Sequence, residues 1–253
     1  MRKALLGTMF LAAAFPAHAA TLRVLSGGAT LEVEKTLAAE FTKQTGTMIA
    51  FDSGTAGQVQ QKVEAGDGAD VVVASVAVID MLDKEGKLKP GTKAMIARAG
   101  IGVAARAGAP KPDISTPDKF RAAMLAAKSV IYPDPASGAS SGIAAAHVFE
   151  RLGIAGQMAE KTKVQPGGLT AERVASGEVE LAIQNISELL PVKGVVVVGP
   201  LPVELQTYTT YSAGVGAKSA DPKAAQAFIA YLVRTGAAAS WKAGGLEPAP
   251  AKN

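Results

Sequence analysis

The sequence contains no cysteine and only two histidines. The missing thiols exclude disulfide staples, thiolate metal centres and cysteine nucleophiles together. One histidine, His18, falls in the N-terminal leader described below, so His147 alone would have to serve any imidazole chemistry. A serine triad needs that imidazole beside a nucleophile, and no G-x-S-x-G turn accompanies it. A zinc centre would have to be built almost wholly from carboxylates, against that metal's preference for nitrogen and sulfur. Aromatic residues make up 5% of the chain and no basic cluster is present. Nucleic acid is therefore not an expected partner. After the first stretch, no hydrophobic run approaches the length of a membrane span.

What is present begins with that stretch. Arg2 and Lys3 precede an apolar run, Ala4 to Phe15, and Pro16-Ala17-His18-Ala19 supplies a small-x-small cleavage signal. Residues 1–19 read as a secretory signal peptide, cut after Ala19, which sends the mature chain to the periplasm without inserting it in the membrane. The remainder of the 253 residues has an ordinary globular composition, 48% hydrophobic and 19% charged.

Beyond the leader, strand and helix patterns alternate. Thr21–Leu25 reads as a strand, and about Leu31 to Thr45 as a helix closed by Gly46. Thr47–Asp52 is the next strand, with a helix from about Gln58 to Ala65, then a buried strand, Ala69–Ser75. Gly100–Arg106, Ser129–Tyr132, Glu180–Asn185 and Tyr208–Gly216 follow as strands. Helices begin at Thr116-Pro117, near Gly142 with Ser140 or Ser141 as cap, and at Asp221-Pro222. The tail from Pro248 to Asn253 reads as loose. This order implies an α/β fold with mainly parallel sheets in two lobes: residues 20–98 with 202–253 as lobe I, and 99–201 as lobe II.

The loops at the carboxyl ends of these strands share one chemistry. Ser26-Gly27-Gly28-Ala29-Thr30, Ser53-Gly54-Thr55-Ala56-Gly57, Ser137 to Gly142, and Gly167-Gly168 are small, hydroxyl-bearing or glycine-rich, and contain no lysine or arginine. Open α/β sheets bind ligands at that edge. Hydroxyls and helix N-terminal amides can solvate an oxyanion without a cation. The expected donors are Ser26, Thr30, Ser53, Thr55, Ser137, Ser140, Ser141 and Asn185, with the amide of Gly167. Lys62 and Arg173 are the nearest candidates for supplementary charge.

Several of these segments carry a resemblance. Ser53-Gly54-Thr55-Ala56-Gly57 with Val63-Glu64-Ala65-Gly66 and Ala69-Asp70-Val71-Val72, then Asp134-Pro135, Gly142-Ile143, Ser176-Gly177-Glu178 and Lys223 to Phe228, resemble the periplasmic molybdate-binding proteins of ABC transporters. The resemblance implies a type II solute-binding fold whose lobes close on a small anion. It further implies a monomer that hands its ligand to an ABC permease and needs no cofactor. The chain departs from that family where its members carry a second-lobe tyrosine: Asn185 stands there, beside Gln184. The segment Gln184-Asn185-Ile186-Ser187-Glu188-Leu189-Leu190-Pro191 is similar to a side branch that also resembles periplasmic aconitate isomerase. That branch implies interconversion of cis- and trans-aconitate by allylic proton transfer, with Glu188 or His147 as the base.

Overall fold

The computed structural model describes residues 21–249. The expected signal peptide, residues 1–19, and the end of the tail, residues 250–253, lie outside the described residues. The chain opens with β1 (Thr21–Gly27), α1 (Gly28–Thr45), β2 (Met48–Gly54), α2 (Ala56–Glu64), β3 (Val71–Ser75) and α3 (Val76–Lys84). A long strand, β4 (Ala94–Arg106), leads to α4 (Pro117–Ala126), β5 (Val130–Pro133), α5 (Ser140–Arg151), α6 (Ala155–Ala159) and β6 (Thr162–Gln165). Then come α7 (Ala171–Ala175), β7 (Leu181–Asn185), α8 (Ile186–Leu189) and β8 (Val195–Pro200). The chain ends in β9 (Tyr208–Val215), α9 (Pro222–Val233), α10 (Ala238–Ala243) and β10 (Leu246–Pro248).

The strands run β2-β1-β3-β9-β4-β7-β5-β6, with β8 and β10 added on β4. Pairing is parallel within β2-β1-β3 and within β6-β5-β7, and antiparallel where β9 and β4 carry the chain between those groups. β4 is buried along most of its length, as its apolar run requires of a strand covered on both faces. Its first half pairs with β9 and its second with β7, so one strand serves both halves of the molecule. It begins at Ala94, six residues before the expected start, because β9 offers Ala94 to Gly100 a partner that periodicity does not reveal.

Two principal cores divide along that strand. Ala99 packs with Val24, Leu37, Phe41, Phe228 and Trp241, while Ile101 packs with Phe120, Val130, Val148 and Phe149. Trp241 donates its indole N–H to Leu232 O at 2.9 Å, so its one polar atom is satisfied inside the first core. The helices are started as the sequence implies. Asp221 accepts from Ala224 N at 2.9 Å with Pro222 just inside, and Thr116 accepts from Lys119 N with Pro117 inside. Replacing Asp221 with alanine is expected to cost about 1 kcal/mol, read as a melting temperature roughly 2–4 °C lower.

The two loops that matter most differ from expectation at their boundaries. β1 continues through Ser26 to Gly27 and α1 starts at Gly28, so Ser26 belongs to a strand and Thr30 to the first helical turn. α5 starts at Ser140, capped by Ala139 without a side-chain bond, so Ser140 and Ser141 lie inside its first turn and cap nothing. Ser137 closes a short 3-10 turn from Pro135. The short strands and helices β6, α6, α10 and β10 have no counterpart in the sequence reading, being too brief to show a period.

Candidate functional site

The carboxyl ends of β2, β5 and β7 and the N-termini of α1, α2 and α5 converge on a cavity of about 520 Å³. Ser53, Thr55, Ser140, Ser141, Gly167, Asn185 and Glu188 line it, together with Gly27, Gly28, Gln58, Gln184, Ser187 and Tyr211. Among the described residues, no lysine or arginine lines it. The N-terminal turns of α1 and α5, from opposite sides of the cavity, have no side-chain cap, so their free amides and dipoles leave a positive potential there without a cation.

Ser26, Thr30, Ser137 and His147 are not brought to the cavity. Ser26 is fully buried and donates to Glu34 Oε1 at 2.9 Å and Gly27 O at 3.1 Å. Thr30, also fully buried, turns its hydroxyl to Gly27 O. Strand alternation and the helical turn send both side chains to the core side of the first loop. Ser137 spends its hydroxyl on Asp134 O at 2.7 Å. His147 is exposed on the outer face of α5. Lys62 and Arg173 are occupied elsewhere, Lys62 with Asp52 at 2.7 Å and Arg173 with Glu178.

The hydroxyl of Ser26 serves Glu34, whose carboxyl is fully buried beneath the loop with Thr30 beside it. Burial raises its pKa to about 7, and the two hydroxyls oppose part of that rise. A folded-state pKa above the ordinary value means that the native chain holds this proton longer, so stability falls as pH rises from about 4.5 to about 7. Glu34→Gln is therefore expected to stabilise the protein by about 2 kcal/mol at pH 8 and to change little at pH 5. Melting curves at both values check this.

Glu188 is placed differently. It follows Asn185 on the short helix α8, which is pinned by fully buried Leu189. Asn185 Nδ2 donates to Glu188 Oε2 at 2.6 Å. Burial pushes the Glu188 carboxyl up to about 7, against the hydrogen bonds of Asn185 and Gln184. Its Oε1 reaches across to the first turn of α1, where a Cβ on Gly28 would lie 2.7 Å away. Gln184 holds the neighbouring loop: its Oε1 accepts from Thr170 N and Oγ1, and its Nε2 donates to Gly168 O at 3.0 Å. That brace puts Gly167 on the cavity wall.

Several contacts close the cavity on the α2 side. Thr55, the N-cap of α2, donates its hydroxyl to Ser137 O, and Gln58 Nε2 donates to Pro166 O at 3.1 Å. Gly57 and Gly138 meet backbone to backbone, a Cβ on either coming within 2.7 Å of the other segment. Among the lining residues that a reading of the sequence does not single out are Gln58 and Tyr211. Gln58 carries a signal in the Thr55-x-x-Gln58 capping box. Tyr211 carries none, since an aromatic in a strand usually signals only core.

Two α/β lobes joined by crossing strands, with the cavity between them at the carboxyl edge, define the type II periplasmic binding proteins. The same architecture is found in the periplasmic molybdate-binding protein of Azotobacter vinelandii, at a TM-score of 0.75 and 20% identity, covering 89% of this chain and 98% of that one. The sulfate-binding protein SubI of Mycobacterium tuberculosis matches at 0.71 and 21%, covering 90% and 87%. Residues 22–247 match the family described as bacterial extracellular solute-binding protein, and the chain belongs to that family. An aconitate isomerase from a Pseudomonas species is 32% identical over 237 residues, 92% of this chain and 89% of the relative.

Proposed function

We propose that this protein is a periplasmic solute-binding protein that captures a small anion, best an organic carboxylate, in the interlobe cavity and delivers it to an ABC permease. The observation that carries this reading is a cavity walled by neutral donors from both lobes, with a buried carboxyl, Glu188, and no lysine or arginine among its described lining residues. A tetrahedral oxyanion would occupy a fraction of about 520 Å³, a volume in the range of organic-ligand pockets. Ser53, Ser140, Ser141, Asn185 and the Gly167 amide are the proposed donors; Thr55 lines the cavity but has its one hydroxyl proton committed to Ser137 O, so it shapes the wall and is not a donor. The chain works as a monomer after loss of residues 1–19, and the lobe boundary falls at 98/99 and 201/202. Among the described residues no helix is long and apolar enough to cross a membrane.

A second reading is favoured by Glu188 and by the Pseudomonas relative. In it the same cavity holds aconitate, and ionised Glu188 takes a proton from one carbon of the allylic system and returns it to the other. His147, on the outer surface, has no part in that reading.

Thermal shift against molybdate, tungstate, sulfate, phosphate, citrate and both aconitates separates the ligand classes. A true ligand at 100 times its dissociation constant is expected to stabilise by about 2.7 kcal/mol. A shift with citrate or aconitate supports carboxylate capture; a shift confined to molybdate and tungstate returns the ligand to the inorganic oxyanions. Ultraviolet-detected turnover of trans-aconitate establishes the isomerase.

A further inference from the structure

Among the described residues Tyr211 is the one aromatic side chain on the cavity wall, and it comes from the lobe opposite the serine that it touches. On β9 it pairs with Ser75, the last residue of β3, which sets it at the carboxyl edge of the parallel strands. Its ring packs on the first loop, 3.4 Å from where a Cβ on Gly27 would stand. Its hydroxyl lies 3.1 Å from Ser140 Oγ in the first turn of α5, a helix anchored in the other core by Ala145, Val148 and Phe149.

The hydrogen count of this pair is decisive. Two hydroxyls carry two protons, and one bond between them uses one. The Asn185 amide also bonds the phenol oxygen, but as a donor it uses no hydroxyl proton, so one O–H of the pair remains to be donated. Tyr211 is 3% exposed and Ser140 opens an uncapped helix, so the cavity is where that donor has room to point. Burial first, and then the charge of Glu188, raises the phenol's pKa, so Tyr211 keeps its proton as a donor.

We propose that Tyr211 is a ligand-positioning residue of this protein, forming with Ser140 a two-hydroxyl unit, one hydroxyl from each lobe, whose remaining O–H is donated to a ligand carboxylate. This rests on the carboxylate reading above. When Tyr211 donates to Ser140 and Ser140 to the ligand, each bond polarises the next, so the two hydroxyls act as one unit. Because the unit exists only when the lobes meet, it rewards the closed form when an anion is bound.

The test is a double-mutant cycle with citrate and trans-aconitate as probes, read by isothermal titration on the full mature chain. Tyr211→Phe keeps the ring against Gly27, and Ser140→Ala keeps the helix. Each change alone is expected to weaken binding about tenfold, the usual value of one hydrogen bond to a charged group. Together they are expected to weaken it no more than about 30-fold, short of the hundredfold product of independent contacts. Tyr211→Phe binding as tightly as wild type, or a double variant that reaches the full product, would overturn the proposal while leaving carboxylate capture standing. Wild-type protein that binds neither probe removes the capture reading itself, and this inference with it.

Discussion

Glu188→Gln is expected to bind its carboxylate ligand about tenfold more tightly than wild type at pH 8 and equally at pH 6, and to lose about 10²–10⁴-fold of any aconitate turnover. The two halves of that expectation follow from one group in two protonation states. Below its pKa of about 7 the Glu188 carboxyl is neutral and tolerates an anion beside it; above, it is a buried carboxylate that repels one. An anionic ligand therefore raises the pKa further and takes up a proton on binding, so wild-type affinity falls as pH rises through 7. A base must be ionised, so isomerisation by Glu188 rises with pH through the same interval. The groups that share this field are Tyr211, which stays protonated, and Glu32 at the cavity wall, paired with Lys35 at 2.7 Å. Affinity and turnover measured from pH 5.5 to 8.5 thus slope in opposite directions. A variant whose affinity keeps the wild-type slope would show that another group, and not Glu188, holds the proton.

How far the sequence carried this picture depends on the range of the interaction that decides each feature. β1, β3, β7 and α9 were legible because apolar period and caps are local, as with Asp221-Pro222. The convergence of loops was legible too, since strand ends in an α/β sheet share an edge. Orientation was not. Ser26 and Thr30 look like the other loop hydroxyls in sequence, and only the fold shows that they turn inward, Ser26 to Glu34 and Thr30 to Gly27 O. Glu34 itself reads as one more charged position in a surface helix; nothing local says that its side of α1 is the buried one. Tyr211 was invisible for the opposite reason. Its role depends on Ser140, 71 positions away, and on closure of one lobe against the other. Features set by a single segment were readable, and those set by two segments meeting were not.

Gly142→Ala is expected to destabilise the protein by about 4 kcal/mol or more, or to prevent folding of the second lobe, and to abolish ligand binding. The cause is space, since Gly142 has ordinary helical geometry and no positive φ. A Cβ built there falls 1.8 Å from Pro133 O, 2.8 Å from Pro133 C and 3.3 Å from Pro135 N. All three are backbone atoms, so no side-chain rotation relieves the clash. The first turn of α5 is thus seated directly on the end of β5, and that seating presents Ser140 and Ser141 to the cavity. A methyl group must lift the turn, which withdraws both hydroxyls and breaks the meeting of Ser140 with Tyr211. Gly156→Ala in α6 is the matched control, because nothing lies within 4 Å of its Cβ position. There the same methyl gains helix propensity and is expected to stabilise by up to about 1 kcal/mol with binding unchanged. Equal melting temperatures for the two variants would mean that α5 can slide on β5, and then the positions of Ser140 and Ser141 are not held by Gly142.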